Sequence, residues 1–268
     1  MAGLNFVVFI PARYASVRLP GKPLCLIAGK TMIRRVYEQL TQQSTDDSPP
    51  LLPSPIDPQP VWILTDDKRI ADEVTAWGGK VLMTQTKHQS GTERCAEGLQ
   101  LLAQQGIRPD IVVNIQGDEP LVQTEQVNDL VSLFRNPDIS IATLIKPISR
   151  YDELQNPNRP KVVIDPNGKA RYFSRQAIPY LSNVAADQWL TKHTYYKHIG
   201  MYAYRSDILE KITSLKVSSL ERAESLEQLR WIENGYKIKV AETTHETIGI
   251  DTPEDLEHAR HHLRINHD

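Results

Sequence analysis

The alternation of short β-branched runs with longer helical stretches is the feature that most constrains this chain. Alternation at this spacing is typical of βαβ units and a mainly parallel sheet. Several of the runs are continuously apolar, as expected for strands that helices cover on both faces. The sequence therefore predicts an α/β fold with a mixed, mainly parallel sheet flanked by helices.

Hydrophobic periodicity and turn signals give the boundaries of these elements. The predicted strands are Phe6–Pro11, Val61–Thr65, Lys80–Met83, Asp110–Ile115, Ile139–Ile145, Lys161–Ile164, His198–Tyr204 and Ile238–Ala241. The predicted helices are Met32–Gln43, Lys68–Trp77, Gly91–Gln105, Glu125–Phe134, Ser206–Leu215, Leu220–Glu233 and Pro253–Leu263. Capping boxes at Ser90 and Glu93, and at Ser218 and Glu221, support two of the helix starts.

The length is enough for one large α/β domain or two small ones with a sizeable core, and we expect a single domain over residues 1–268. Residues 44–60 hold six of the 18 prolines, which predicts an extended surface loop. The two cysteines, Cys25 and Cys95, do not form a disulfide framework. No apolar run reaches the roughly 20 residues of a membrane span, and the first residues lack the features of a signal peptide. We therefore expect a cytoplasmic protein.

Charge is distributed unevenly along the chain although the formal net charge is only −2. Residues 1–37 contain six Lys and Arg residues and no acidic residue, since the first acid is Glu38. Proteins that coat nucleic acid are usually basic over a whole face, so a local basic zone favours a bound small anion instead. We expect neither a nucleic-acid partner nor a membrane.

The loop after the first predicted strand concentrates these cations. Arg13, Arg18 and Lys22 lie within the segment Ile10–Leu24, where guanidinium and ammonium groups can converge on phosphate oxygens. Gly29-Lys30-Thr31, which follows this segment, is not part of a Walker A loop, because the position of the required leading glycine is occupied by Leu24. No GxGxxG motif occurs either, which argues against a dinucleotide-dependent oxidoreductase.

Seven segments, in this order, carry a resemblance to a known family. They are Ile10–Leu24, His88–Arg94, Val113–Pro120, Tyr172–Arg175, Lys197–Tyr204, Leu226–Arg230 and Gly249–Leu256. Together they closely resemble the 3-deoxy-D-manno-octulosonate cytidylyltransferases, or CMP-Kdo synthetases. The resemblance implies a nucleotide-diphospho-sugar transferase fold and a homodimer, with residues 146–198 as a smaller dimerisation lobe. It implies that CTP and the acid sugar Kdo react with Mg²⁺ to give CMP-Kdo and pyrophosphate for lipopolysaccharide biosynthesis.

The resemblance also implies the residues of a nucleotide and metal site. Mg²⁺ prefers hard carboxylate, phosphate and water oxygens, which Asp118 and Asp251 offer, and the resemblance implies that these two are the metal ligands. The expected catalytic residues are Arg13, Lys22, Asp118 and Asp251. The expected nucleotide-binding residues are Pro11, Ala12, Arg13, Arg18, Lys22, Ser90, Gly91, Arg94, Gln116 and Asp118.

The acid sugar requires a cation for its carboxylate and several polar partners for its hydroxyl groups. The family positions associated with it are Gln116, Arg175, His198, Tyr202, Glu227 and Gln228. Within the predicted helix Leu220–Glu233, the residues Glu224, Glu227, Gln228 and Trp231 would form one stripe.

Two alternatives remain open at this point. The enzyme could use another acid sugar, such as 8-amino-Kdo or a sialic acid, because such enzymes share the CTP half of the site. A nucleotide-sensing protein without turnover is disfavoured, since both acidic residues are present. The chain departs from the family pattern at Val17, at the segment 158–161 and in the length of the proline-rich loop.

Overall fold

The computed structural model describes residues 4–16, 18–41, 61–247 and 249–265. Within them the strands are β1 (Phe6–Ala12), β2 (Leu26–Ile27), β3 (Lys30–Thr31), β4 (Val61–Thr65), β5 (Val81–Met83), β6 (Ile111–Asn114), β7 (Ile141–Pro147), β8 (Lys161–Ile164), β9 (Ala170–Ser174), β10 (Tyr196–Arg205) and β11 (Ile238–Glu242). The α-helices are α1 (Met32–Thr41), α2 (Lys68–Ala76), α3 (Gly91–Gln104), α4 (Thr124–Leu133), α5 (Tyr151–Gln155), α6 (Trp189–Lys192), α7 (Ser206–Thr213), α8 (Ser219–Glu224), α9 (Gln228–Glu233) and α10 (Pro253–Ile265).

Every predicted strand is present, with ends that move by at most two residues, and the α/β fold with a mixed, mainly parallel sheet is confirmed. The sequence missed the short strands β2 and β3, the strand β9 and the short helices α5 and α6. Val17 and the predicted proline-rich loop, residues 44–60, lie outside the described residues. None of the helices described here is long and apolar enough to cross a membrane.

The chain divides into two compact units, which are described separately. The first comprises Asn5–Glu125 and Glu246–Asp268, and the second comprises Met1–Leu4 and Gln126–His245. The predicted smaller lobe, residues 146–198, falls inside the second unit, and its part in a dimer stays a prediction.

The first unit is built on a parallel sheet in which β1 is central. Strand β1 pairs in parallel with β4 and β6, and β4 pairs in parallel with β5. The side chains of residues 6–10 are at most 5% exposed, because helices such as α3 cover the sheet. Parallel strands end at the same edge, so the segments that follow β1, β4 and β6 meet there.

A separate apolar cluster holds helix α10 in the first unit. Ile27 and Met32 pack with Ile250, Leu256 and Ala259, all of which are buried. The cluster joins residues near the start of the chain to residues near its end. It therefore fixes the position of the segment that leads into α10.

The second unit contains a mixed set of strands. Strand β7 pairs in parallel with β11 and antiparallel with β10, while β8 pairs antiparallel with both β10 and β9. The β7–β10 register shifts between Ile199 and Tyr202. Such an irregularity re-aims the side chains that follow it.

The prediction of one helix over Leu220–Glu233 is wrong, because the structure divides it into α8 and α9. Ser225 adopts a left-handed conformation with φ 53° between them. The guanidinium group of Arg175 donates hydrogen bonds to the carbonyl oxygens of Glu224 (2.7 Å) and Ser225 (3.3 Å). These bonds replace the helical bonds that the two carbonyls would otherwise accept. Glu224, Glu227, Gln228 and Trp231 are therefore not one helical stripe.

Gly98 lets α3 approach the sheet closely in the first unit. A Cβ atom at this position would lie 2.7 Å from Leu64 Cδ1 and 3.3 Å from Phe9 Cε2. Both of these side chains are fully buried. The clash has little room to relax, since interiors are close-packed.

We expect Gly98→Ala to lower the free energy of unfolding by about 1 kcal/mol. Alanine improves helix propensity by up to about 1 kcal/mol, but overpacking costs about 1–3 kcal/mol. Chemical denaturation of the variant measures the difference. Gln100→Ala, at an exposed position of the same helix, is the control and should be neutral or slightly stabilising. A Gly98→Ala protein more stable than the wild type would contradict this packing argument.

Candidate active site

A cleft of about 390 Å³ opens at the carboxyl ends of β1 and β6 in the first unit. That volume is typical of small-molecule sites. Its lining contains all ten of the expected nucleotide-binding residues together with Asp251. The lining residues that the sequence did not assign are Ser16, Pro23, His88, Gln89 and Gly117.

The loop after β1 is shaped by a glycine. Gly21 has φ 69° and begins the 3₁₀ turn Lys22–Leu24, and its amide donates to the Tyr14 carbonyl oxygen at 3.1 Å. A Cβ on Gly21 would lie 3.0 Å from the Tyr14 hydroxyl, so a larger residue would crowd the turn as well as strain it. The guanidinium group of Arg69 lies 3.3 Å from the centroid of the Tyr14 ring. This local packing holds the loop against α2 and aims Lys22 into the cleft.

Two carboxylates in the cleft share one ammonium group. Lys22 Nζ lies 2.6 Å from Asp118 Oδ2 and 3.0 Å from Asp251 Oδ1. Arg18 Nη2 lies 3.0 Å from the other oxygen of Asp251. Burial acts to lower the pKa of Lys22, but the two carboxylates outweigh it and raise that pKa above its ordinary value. The ammonium group therefore stays charged at neutral pH.

Backbone and capping contacts bring these two aspartates together. The amide of Ile250 donates to the Asp118 carbonyl oxygen at 2.9 Å. Asp255 Oδ2 accepts hydrogen bonds from the amides of Asp251 and Thr252, both at 3.0 Å, at the start of α10. The Asp255 amide donates in return to Thr252 Oγ1 at 3.2 Å, and this capping arrangement orients Asp251.

Gly117 allows the turn that carries Asp118 to approach β1. A Cβ at position 117 would lie 2.9 Å from the carbonyl oxygen of Pro11. A backbone atom of a central strand cannot move aside as a side chain can. Only glycine therefore fits between the two segments.

Glu119 is a buried acid that the sequence did not single out. Its side chain oxygen Oε2 has no hydrogen-bond partner among the described residues. Burial, and secondarily the charge of Asp118, raises the pKa of Glu119 to about 8. This carboxyl group is protonated at neutral pH, so the anionic charge of the turn belongs to Asp118.

The start of α3 forms a second wall of the cleft. Ser90 is the N-cap, as predicted, and its hydroxyl accepts a hydrogen bond from the Glu93 amide at 3.2 Å. Arg94 is only 3% exposed and still reaches the cleft. Its guanidinium group donates to Thr84 Oγ1 at 2.5 Å and to Asp66 Oδ2 at 3.0 Å.

His88 also faces the cleft, and a carboxylate orients it. Its Nε2 forms a short hydrogen bond with Glu97, which also accepts a bond from the Gln85 amide at 2.9 Å. Burial acts to raise the pKa of Glu97, but the hydrogen bonds from His88 and Gln85 outweigh it and lower that pKa. His88 belongs to the sequence motif His88–Arg94. Its partner Glu97 lies one helical turn beyond that motif, so the motif alone did not indicate the pairing.

Three further cations near the start of the chain have structural partners. Lys30 and Arg34 both pair with Glu38, at 2.5 and 2.8 Å. Arg35 donates to the carbonyl oxygens of Ile27 and Ala28. The basic excess of residues 1–37 is therefore divided between the cleft and the packing of α1.

Most of the residues expected at the acid sugar lie in the second unit, while Gln116 lines the cleft of the first. His198 Nε2 is 2.9 Å from Thr143 Oγ1, and the loss of hydration around the ring lowers the pKa of His198 to about 3. The imidazole is therefore neutral. Its ring packs against Tyr202, which also meets Trp231 edge-on, with ring centroids 5.2 and 5.1 Å apart.

Helix α9, which carries Trp231 of this aromatic cluster, begins at Gln228, and Glu227 is its N-cap. Gln228 is buried, and its Nε2 has no hydrogen-bond partner within the described residues. Glu227 Oε1 is 3.9 Å from a guanidinium nitrogen of Arg230. Burying an amide nitrogen without an acceptor lowers the stability of the fold. Such a group is therefore a candidate for binding a ligand.

Arg175 has a structural role that the sequence did not predict. Besides the two carbonyl groups that end α8, it donates to the Pro157 carbonyl oxygen at 3.0 Å. The carboxylate of Glu224 in turn accepts from Ser174 Oγ and from the Arg175 amide. The Arg175 guanidinium group thus uses three of its five N–H groups in hydrogen bonds to the backbone, and the other two could bind a ligand.

The chain is similar to known proteins over nearly its whole length. Residues 7–238 match the family model described as cytidylyltransferase. The 3-deoxy-manno-octulosonate cytidylyltransferase of Cytophaga hutchinsonii is 52% identical over 268 residues, covering 99% of this chain and 98% of that protein. The enzyme of the same description from Bacteroides thetaiotaomicron is 50% identical over 264 residues, covering 97% of this chain and 99% of that protein.

A solved structure of CMP:2-keto-3-deoxy-manno-octonic acid synthetase complexed with CTP has the same fold. It aligns with a TM-score of 0.83 and 40% sequence identity, covering 98% of this chain and 99% of the other. The expected nucleotide-diphospho-sugar transferase fold is thereby confirmed. With this identity over nearly its whole length, the chain belongs to the 3-deoxy-manno-octulosonate cytidylyltransferase family.

Proposed function

We infer that this protein transfers CMP from CTP to the anomeric hydroxyl group of Kdo, with release of pyrophosphate. The observation that carries this function is the polarised cleft of the first unit. Arg13, Arg18 and Lys22 line it together with Asp118 and Asp251. A triphosphate and an acid sugar are both anions, so their reaction requires a site where positive charge is concentrated.

The two aspartates fit a divalent cation. Their oxygens lie within 3.0 Å of one shared point, the Lys22 ammonium group, so one ion can contact both. No group of three or more His, Cys, Asp or Glu side chains in the described part of the chain could hold a metal. Two carboxylates, completed by phosphate oxygens and water, are the donor set that Mg²⁺ prefers. When bound, Mg²⁺ would neutralise phosphate charge and lower the pKa of the sugar hydroxyl.

In the proposed mechanism the cations of the β1 loop bind and orient the triphosphate. Arg13 and Arg18 contact phosphate oxygens, and Lys22 moves from the carboxylates towards the departing pyrophosphate. The hydroxyl oxygen of the sugar attacks the α-phosphorus of CTP. The bond between the α-phosphorus and the oxygen that bridges it to the β-phosphate breaks, pyrophosphate leaves with that oxygen, and the hydroxyl proton passes to water. The protein contributes mainly position and charge neutralisation.

Base and sugar recognition are assigned to the remaining predicted residues. We propose that Ser90, Gly91 and Arg94 contact the cytosine base. In the second unit, neutral His198 and Tyr202, the Gln228 amide and Glu227 suit sugar hydroxyl groups, while the two remaining N–H groups of Arg175 suit the sugar carboxylate. In the first unit, the Gln116 amide suits a hydroxyl group of a ligand in the cleft.

The homodimer and the cytoplasmic location are also proposals. Tyr180, in the segment 146–198, is 76% exposed, although its ring packs edge-on against Trp189. A large exposed aromatic residue next to an apolar cluster suits a subunit contact. Cys25 and Cys95 are not joined in a disulfide bond, which suits a reducing compartment.

A pyrophosphate-release assay with Mg²⁺ tests the function. We expect the fastest release with CTP and Kdo, slower release when UTP replaces CTP, and none when EDTA removes the metal. 8-Amino-Kdo and N-acetylneuraminate serve as competing sugars. Faster release with either sugar would shift the function to that substrate, and no release with any CTP pair would exclude cytidylyl transfer.

We expect Asp118→Asn to reduce turnover by about 100-fold or more with the fold intact, because one of two carboxylates that share the cation is neutralised. Pyrophosphate release and circular dichroism measure the two effects. Asp110→Asn is the matched control, since Asp110 is exposed at the opposite end of β6. Near-normal turnover of Asp118→Asn would show that the metal site is assigned wrongly.

Gln228→Met should raise the KM for Kdo by about tenfold and leave the KM for CTP unchanged. The variant loses a polar contact to the sugar, but it also removes a buried amide nitrogen that has no acceptor in the described structure, so its free energy of unfolding should stay equal or rise by about 1 kcal/mol. Steady-state kinetics and urea denaturation check both statements. Gln104→Met, at an exposed position, is the control. An unchanged KM for Kdo would remove Gln228 from the sugar site.

A further inference from the structure

Arg94 lines the cleft, and two side chains outside the cleft lining bind its guanidinium group. Its side chain is 4% exposed, and two different nitrogens of its guanidinium group are bonded, one to Thr84 Oγ1 and the other to Asp66 Oδ2. Two bonds from separate nitrogens fix the plane of the guanidinium fork as well as its position. Three of its five N–H groups remain beyond these two bonds.

The two anchors come from neighbouring strands of the sheet. Asp66 directly follows β4 and Thr84 directly follows β5. The Thr84 amide donates to the Thr65 carbonyl oxygen at 2.8 Å, which continues the strand pairing past the end of β5. Asp67 then caps α2. Asp66 and Thr84 therefore belong to a rigid frame.

Neither anchor lines the cleft. Thr84 is 7% exposed, and the Asp66 side chain is 17% exposed. A guanidinium group this deeply buried requires a counter-charge, and Asp66 supplies it. Both anchors bind Arg94, so Arg94 is the link between them and a nucleotide in the cleft.

We propose that Asp66 and Thr84 are positioning residues that set the preference for CTP over UTP by fixing Arg94. The inference rests on the proposed function. Cytosine presents an acceptor at N3, whereas uracil carries a hydrogen there. A donor that is fixed in place pairs with cytosine and meets the N–H of uracil without an acceptor, which is unfavourable. A donor that can rotate avoids that penalty, so loosening Arg94 should weaken discrimination as well as affinity.

The test compares kcat and KM for CTP and for UTP, each with Kdo and Mg²⁺. For Asp66→Asn we expect the KM for CTP to rise about tenfold, kcat to change by less than about threefold, and the CTP-to-UTP ratio of kcat/KM to fall about tenfold. Thr84→Val should shift the ratio in the same direction, and Thr84→Ser, which keeps the hydroxyl group, should restore it.

Asp67→Asn is the matched control, because the Asp67 carboxylate pairs with Arg69 rather than with Arg94. Its CTP-to-UTP ratio should equal that of the wild type. If Asp66→Asn does not fold, as thermal unfolding will show, the Thr84→Val and Thr84→Ser pair decides the question alone.

A double-mutant cycle separates positioning from general stability. In an Arg94→Gln background, Asp66→Asn should cause no further loss of discrimination, since it acts through the missing guanidinium group. An additive loss, or an unchanged ratio in folded Asp66→Asn, would overturn the inference while an active wild type keeps the proposed function. A wild type that releases no pyrophosphate would instead contradict the function on which the inference rests.

Discussion

The Lys22 ammonium group between Asp118 and Asp251 is the interaction on which the site depends. The three residues come from the loop after β1, the turn after β6 and the segment before α10. Two carboxylates this close repel each other unless a cation lies between them. The backbone bond from Ile250 to the Asp118 carbonyl and the cap at Asp255 then hold the arrangement. The carboxylates of Asp118 and Asp251 are thus both paired with cations of the β1 loop, Lys22 and Arg18.

The residues proposed for binding have different chemistry in the two units. The cleft of the first unit presents charges, which suits phosphate groups and their counter-ions. The cluster around His198 and Tyr202 in the second unit is buried, aromatic and neutral at ordinary pH. Neutral donors and acceptors recognise hydroxyl groups without the desolvation cost of a buried charge. This difference explains why local charge patterns in the sequence indicated the proposed phosphate site and gave little information about the proposed sugar site.

The sequence predicted the strands well because their apolar runs are local and strongly patterned, as in residues 6–10 of β1. It failed where a distant side chain replaced local hydrogen bonds. The helix over Leu220–Glu233 has continuous helical periodicity, yet Arg175 binds the carbonyl groups of Glu224 and Ser225 and ends α8 there. No spacing rule within that segment reports an arginine from another part of the chain.

By itself the sequence determined the α/β alternation, the cation-rich loop after the first strand and the family, because each of these depends on short runs of neighbouring residues. Only the tertiary structure decided which side chains act on one another. It paired Lys22 with both aspartates, anchored Arg94 on Asp66 and Thr84, and kept the neighbouring Glu119 protonated by burial. The physical reason is that ion pairing, desolvation and orientation depend on distances of a few ångströms between residues that chain order leaves far apart.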